Sequence, residues 1–151
     1  MSSQPATVQH HVKAPADAVW DVLADGWTYA SWVVGASRVR DVDPNWPEVG
    51  SSLHHSFGLW PLVINDRTDV LGCHPGKQLV LQARGWPTGE ATVNIRIDDL
   101  GPRESLLSIQ EDVSAGPVLL VPQPLRQAAT VPRNRETLRR LGHLAEGRRN
   151  A

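Results

Sequence analysis

The chain has 151 residues, 40% of them hydrophobic, enough for one globular domain that buries roughly two thirds of the surface its extended chain exposes. Fifteen Lys and Arg against sixteen Asp and Glu leave a formal net charge of -1, which removes any global attraction to phosphate backbones or anionic lipid and sets nucleic acid aside. Cys73 stands alone, excluding an intramolecular disulfide and a Cys-based zinc site and fitting a reducing compartment.

Thirteen of the fifteen cations are Arg. With the abundance of Ala, Gly and Pro, this bias matches a GC-rich coding genome and weakens arguments from any single Arg. The segment "MSSQPATVQHHVK" has no apolar stretch that could serve as a signal peptide, and no apolar run approaches the length needed to cross a bilayer. A soluble, cytoplasmic protein is expected. There is no internal repeat or low-complexity tract. One domain is expected over 1–147, with a disordered tail over 148–151.

In chain order, "ATVQHHVKA" alternates with Val8, His10 and Val12 on one face of a strand. Pro15 then opens "PADAVWDVLAD", where Val19, Val22 and Leu23 recur at helical spacing. Asp25-Gly26 breaks that helix, and "WTYASWV" has room only for a second short one before Gly35. Six strand-like segments follow, near 36–43, 50–60, 62–72, 77–86, 89–99 and 104–113, separated by turn-rich clusters such as "DPNWPEVG", "HPGK" and "GWPTG". The clearest is "EATVNIRID", with Ala91, Val93, Ile95 and Ile97 on one side and Thr92, Asn94, Arg96 and Asp98 on the other. The sheet is therefore dry on one face and wet on the other. After the link "AGPVLLVPQP", the residues Leu138, Leu141 and Ala145, with Leu144 alongside, form an apolar stripe opposed by Arg135, Arg139 and Arg140, the mark of a long amphipathic helix. Pro132 leaves two starts open: a helix from Leu125 that it kinks, or one capped at Thr130 with Pro132 in its first turn.

This order resembles the START-like, SRPBCC helix-grip superfamily, and within it the polyketide cyclase/dehydratase-type branch. The resemblance is carried by "APADAVWDVLADGWTYASWVVGASRVRDVD", "VGSSLHHSFG", "DVLGCHPGKQLVLQARG" and "NRETLRRLGHLAE", which together span almost the whole chain. It implies an α+β fold: a curved seven-stranded antiparallel sheet with two short helices after the first strand and a long C-terminal helix gripped over an apolar cavity. It also implies a bacterial protein holding a lipid, a polyketide or a similar small molecule. The "VWDVL" helix and Trp32 are structural marks of the superfamily and specify no reaction.

Aromatic residues cluster where that cavity is expected. Of eight in the chain, four fall between Leu23 and Pro47: Trp27, Tyr29, Trp32 and Trp46. An indole or phenol offers a broad apolar face with one polar handle, suited to a half-wet rim. Trp27, Tyr29 and Trp32 are accordingly candidate wall residues, with a core-staple role the alternative for Trp32 and the expectation for Trp20. Trp46, Trp60 and Trp86 each neighbour Pro and read as turn packing.

Alternation nominates the polar residues that face inward. In "SSLHHSFGL", Leu53, His55, Phe57 and Leu59 share a face, so His55 points in and His54 out. In "SLLSIQEDV", Glu111 shares a face with Leu107, Ile109 and Val113. His10 is nominated by Val8 and Val12. In "LVINDRTDVL" the parity is open: Ile64 and Val70 argue for one face, Val63 and Leu71 for the other, and either Asp66 or Arg67 can be the inward residue. The candidate ligand-binding set is Trp27, Tyr29, Trp32, His55, Phe57, Leu81, Val93, Ile95, Glu111, Asn134 and Leu138.

Adjacent residues on a strand point to opposite faces, so neither His10-His11 nor His54-His55 can chelate one ion. With no HExxH-like motif either, no metal and no cofactor are expected. Cys73 and His74 lie in a turn without a thiolate-forming arrangement, and neither a Gly-x-Ser-x-Gly elbow nor a phosphate-cradling Gly loop is present. What remains is acid–base chemistry, for which His55 and Glu111 are the candidates. No catalytic residue transfers from the characterised cyclases. Three functions stay open: binding of an apolar, aromatic, polyketide-like or acyl ligand; a polyketide cyclase or dehydratase; and a protein-interaction module. The expected partner is a small hydrophobic ligand, without nucleic acid or membrane insertion, in a monomer or homodimer. The cluster Arg133, Arg135, Arg139 and Arg140 reads as a solvated helix face, with docking of an acidic carrier protein as its functional alternative, and Asn134 as a local cap or a ligand contact.

Overall fold

The computed structural model describes residues 5–58, 61–87 and 89–149. Its elements are β1 (Thr7–Val12), α1 (Ala16–Ala24), a 3-10 turn (Gly26–Thr28), α2 (Tyr29–Trp32), β2 (Ala36–Val42), β3 (Ser52–Phe57), β4 (Ile64–His74), β5 (Gln78–Gly85), β6 (Gly89–Gly101), β7 (Glu104–Ala115), a second 3-10 turn (Pro117–Leu120) and α3 (Gln123–Arg149). The strands form one antiparallel sheet in the order β1-β7-β6-β5-β4-β3-β2. Every consecutive pair from β2 onward is a hairpin. Only β1 crosses over, to pair with β7 from Thr7 opposite Gln110 to Val12 opposite Ser105.

Period-2 patterning turns one face of this sheet inward. Val93, Ile95 and Ile97 on β6 are buried while Arg96 and Asp98 between them are exposed. The parity left open in β4 resolves the same way. Thr68 and Val70 are buried, and Val63 and Leu71 are exposed, so Asp66 rather than Arg67 shares the inner face. The helices close over that face. α1 contributes Val19, Val22 and Leu23 to the core, and α3 contributes Leu138, Leu141 and Ala145 at its i, i+3, i+7 spacing. Trp20 is half-buried against this core.

The last carbonyls of α1 find side-chain donors: Thr28 Oγ1 donates to the Val22 oxygen at 2.9 Å and Trp46 Nε1 to the Leu23 oxygen at 3.1 Å. Trp46 thus packs a turn against a helix end that would otherwise lack partners. Trp86 spans its own turn, donating to Glu90 at 2.8 Å. Trp60 and Leu59 lie outside the described residues.

Two helical expectations change. α3 runs unbroken from Gln123, with Pro132 in its interior, so Thr130 and Asn134 are helix residues and Asn134 is no cap. Pro132 has no N–H to give the carbonyl four residues back. At the other end α3 continues through Arg149, and Arg148 reaches α1, donating to the Asp21 carbonyl at 3.2 Å and to the Asp25 carboxylate at 3.1 Å. The expected disordered tail is therefore docked helix at 148; residues 150 and 151 lie outside the described residues. Among the described residues no helix is long and apolar enough to cross a membrane.

Candidate ligand cavity

Between the inner face of the sheet and the first half of α3 lies a cavity of about 450 Å³, within the range typical of small-molecule sites. Its sheet side carries Phe57, Leu81, Ala83, Val93, Ile95 and Ile109, and α2 adds Tyr29 and Trp32. From α3 come Leu125, Arg126, Ala129, Thr130, Arg133, Asn134 and Thr137, one stripe at helical spacing. Exposed Val121, Leu125 and Arg133 border its mouth. A larger concavity of about 540 Å³ near the β4–β5 turn is walled by Asp17, His74, Lys77, Arg96, Asp98 and Asp99. Its lining is largely charged and polar, and an apolar lining rather than volume distinguishes a binding site.

The aromatic side of the cavity is continuous. Tyr29 meets Trp32 edge to face at 5.4 Å between ring centroids and stacks on His55 at 5.4 Å, and His55 leans on Phe57 at 4.8 Å. Two glycines admit Phe57 and close the turn behind it. A Cβ at Gly85 would come within 2.5 Å of the Phe57 ring, and Gly89, at φ +140, would drive a Cβ into the Ala115 carbonyl.

Beneath the rings runs a buried polar chain. The Tyr29 hydroxyl and Thr68 Oγ1 are 3.0 Å apart, and Thr68 Oγ1 and His55 Nε2 are 2.9 Å apart. Burial pushes the Tyr29 phenol up to about 12 and His55 down to about 4, so both are neutral at pH 7.

Glu111 occupies the opposite side, its carboxylate paired with Arg133 across from β7 to α3. Gln127 reinforces the same seam, donating to the Glu111 carbonyl at 3.1 Å. Arg126 points its Nη2 toward Asp112 at 3.7 Å. At the β5–β6 end, Arg84 lies 3.6 Å from Glu90 and 3.7 Å from Asp66. Among the described residues no three His, Cys, Asp or Glu side chains gather as a metal site would require.

No family model matches the chain, and no curated protein matches it in sequence. Solved structures match it over nearly its full length. The START superfamily protein from Mycobacterium smegmatis has a TM-score of 0.68 at 20% identity, covering 98% of both chains. The Zhui aromatase/cyclase from Streptomyces sp. R1128 has a TM-score of 0.65 at 18% identity, covering 95% of this chain and 94% of that one. The chain has the START-like helix-grip fold. The di-domain ARO/CYC BexL from the BE-7585A biosynthetic pathway adds a TM-score of 0.73 at 14% identity, with 95% of this chain laid over 47% of that one. At such identities the likeness carries the helix-grip architecture and leaves the activity to the site.

Within the helix grip, Tyr29, Trp32, Phe57, Leu81, Val93, Ile95, Glu111 and Asn134 line the cavity, and three nominated residues do not. Trp27 is 60% exposed, because its backbone N–H is held by the Asp25 carboxylate at 3.2 Å as the cap of the 3-10 turn, which leaves the ring outside. His55 does turn inward, as alternation requires, but the rings of Tyr29 and Phe57 cover it, so it sits behind the wall. Leu138 falls just past Thr137, the last cavity-lining residue, and is fully buried core. His10 also faces inward, toward Gly142 of α3, and is not among the cavity's lining residues.

Of the polar stripe of α3, sequence reasoning names only Asn134. Arg133 is as exposed as Arg140, yet it borders the cavity and pairs with Glu111, while Arg139 and Arg140 pair with Glu136. Extending the spacing of Leu138 and Leu141 backward through Thr137, Asn134, Thr130 and Arg126 was the signal available.

Proposed function

We propose that this helix-grip domain binds a small, largely apolar ligand, aromatic, polyketide-like or acyl, in the cavity under α3. The observation that carries the reading is the mostly apolar cavity of about 450 Å³ with an aromatic flank of Tyr29, Trp32 and Phe57. A protein-interaction module has no use for such a volume. Binding is preferred to catalysis because the one buried histidine near the cavity, His55, is screened from it by the rings of Tyr29 and Phe57. Native mass spectrometry and Trp fluorescence quenching with fatty acids, flavonoids and polycyclic aromatics test the reading. A dissociation constant below about 100 μM, about -5.5 kcal/mol, is expected for at least one class. Weaker binding across the whole panel sinks it. The reading goes with a cytoplasmic monomer or homodimer, which light scattering of the purified chain measures.

A polyketide cyclase or dehydratase is the second reading, favoured by the aromatase/cyclase likenesses and by Glu111, an acid–base group at the cavity wall. In that case Glu111→Gln cuts turnover by about a hundredfold or more while binding stays within a few fold. His55→Gln, behind the wall, has the smaller effect on the chemical step. Equal losses of binding and turnover in Glu111→Gln mark it as a ligand-positioning group instead.

A further inference from the structure

The three arginines of the cavity are not equally occupied. Arg133 pairs with Glu111, and Arg84 stands between two carboxylates, Glu90 at 3.6 Å and Asp66 at 3.7 Å, neither within hydrogen-bond range. Arg126 has only Asp112, reached by Nη2 at 3.7 Å, beyond hydrogen-bond range. Its Nε and Nη1 are buried and have no hydrogen-bond partner among the described residues, although the side chain is 13% exposed overall. Burying such donors unpaired is costly, the more so on a charged group. Donors so placed suit an acceptor brought by a guest. The indole Nε1 of Trp32, in the same cavity, is likewise buried without a partner.

Charge narrows the class of acceptor. The cavity wall carries Arg84, Arg126 and Arg133 against Glu90 and Glu111, and Asp66 and Asp112 stand beside Arg84 and Arg126, so what a ligand meets is the unpaired donors of Arg126 rather than an excess of positive charge. A planar guanidinium with free N–H groups matches the two oxygens of a carboxylate, and charge-assisted hydrogen bonds are roughly twice as strong as neutral ones. A dianionic phosphate would bring a second negative charge into an apolar chamber that already holds two carboxylates.

We propose that the ligand of this cavity is a monocarboxylate, an apolar body ending in one carboxylate group that Arg126 receives, with the Trp32 N–H available to a second, neutral acceptor. This rests on the cavity-binding reading above. It adds the ligand's charge and the end of the chamber, between the first turns of α3 and β7, where that charge lies.

The test uses two matched pairs, anthracene-9-carboxylate with its methyl ester and dodecanoate with its methyl ester, titrated into the full chain at neutral pH by calorimetry. Whichever pair binds, the acid is expected to bind at least tenfold more tightly than the ester. Arg126→Gln is expected to abolish that preference while leaving the ester within threefold, and Arg126→Lys to keep part of it. Equal affinity for acid and ester in the unaltered protein, which requires no variant to fold, overturns the carboxylate inference and leaves the cavity reading standing. A full acid preference retained in a folded Arg126→Gln also overturns it. Failure of all four probes to bind overturns both.

Discussion

On the β3–β4 side of the cavity, Tyr29 stacks on His55 and Phe57 lies tilted against it, and Tyr29, His55 and Thr68 are fully or almost fully buried. On the α3 side, Arg126 meets Asp112 and Arg133 meets Glu111, each pair with one largely buried member and one open to water. The first side is held by packing and by polar groups kept neutral, so its cost of disruption falls on the fold. The second is held by charges whose partners solvent can replace, so changes there fall chiefly on a guest. If the cavity binds as proposed, stability and binding are written on opposite walls of one chamber.

The comparison breaks most readily at Tyr29. Tyr29→Ala removes a ring packed against Trp32 and His55 and is expected to cost about 3 kcal/mol or more, while Arg133→Ala costs under about 1 kcal/mol. Denaturant midpoints with equal m-values measure both, and equal losses would erase the distinction between the walls. Next is acid. The native state holds His55 near 4 against about 6.5 unfolded, so as pH falls below 6.5 the unfolded chain takes up the proton first. Stability is fully present above pH 6.5 and drops by roughly 2 to 3 kcal/mol between there and pH 4. Urea unfolding across that window should show a slope that His55→Gln flattens; an unchanged slope places the proton elsewhere. The opposite wall gives a smaller response. Glu111→Gln frees Arg133 at a partly exposed site, so stability moves by less than about 1 kcal/mol, while carboxylate probes bind several-fold more tightly. A weakened carboxylate affinity in that variant contradicts the division. Smallest is Trp27→Ala, expected to change stability by under about 0.5 kcal/mol and ligand affinity by under twofold. A tenfold loss of affinity there would restore Trp27 to the cavity.

The fold was legible because most of it is periodic. Alternation in β6 and β7, the Gly and Pro clusters between strands, and the Leu138–Leu141–Ala145 stripe each report one buried face, and the element order is the concatenation of those reports. Pro132 was less legible, since a proline reads as a boundary from local chemistry alone, whereas packing of Leu138 and Leu141 on the core carries α3 through it. In the cavity, alternation put Phe57, Val93, Ile95 and Glu111 on the correct face of the sheet. It could not see that Tyr29 and Phe57 would cover His55, because that depends on α2 reaching β3 across nineteen intervening residues. Trp27 was misplaced for a local reason: large aromatic rings favour burial on average, but an Asp25 cap fixes the backbone so that this one points out. Of the polar stripe of α3 only Asn134 was nominated, and Arg126 and Arg133 were not, because an arginine at helical spacing looks the same whether water or a chamber faces it.

Tyr29 is the chain's one tyrosine and Phe57 its one phenylalanine, and both stand in the chamber wall. The molecule therefore carries its own optical and magnetic label. Isotope-labelled tyrosine contributes the signals of a single ring, all arising from the wall, and phenolate absorbance on alkaline titration reports that ring alone, rising near pH 12 rather than 10 while the fold persists. A bound guest and a loosened wall can each be followed at this one residue in the unaltered protein.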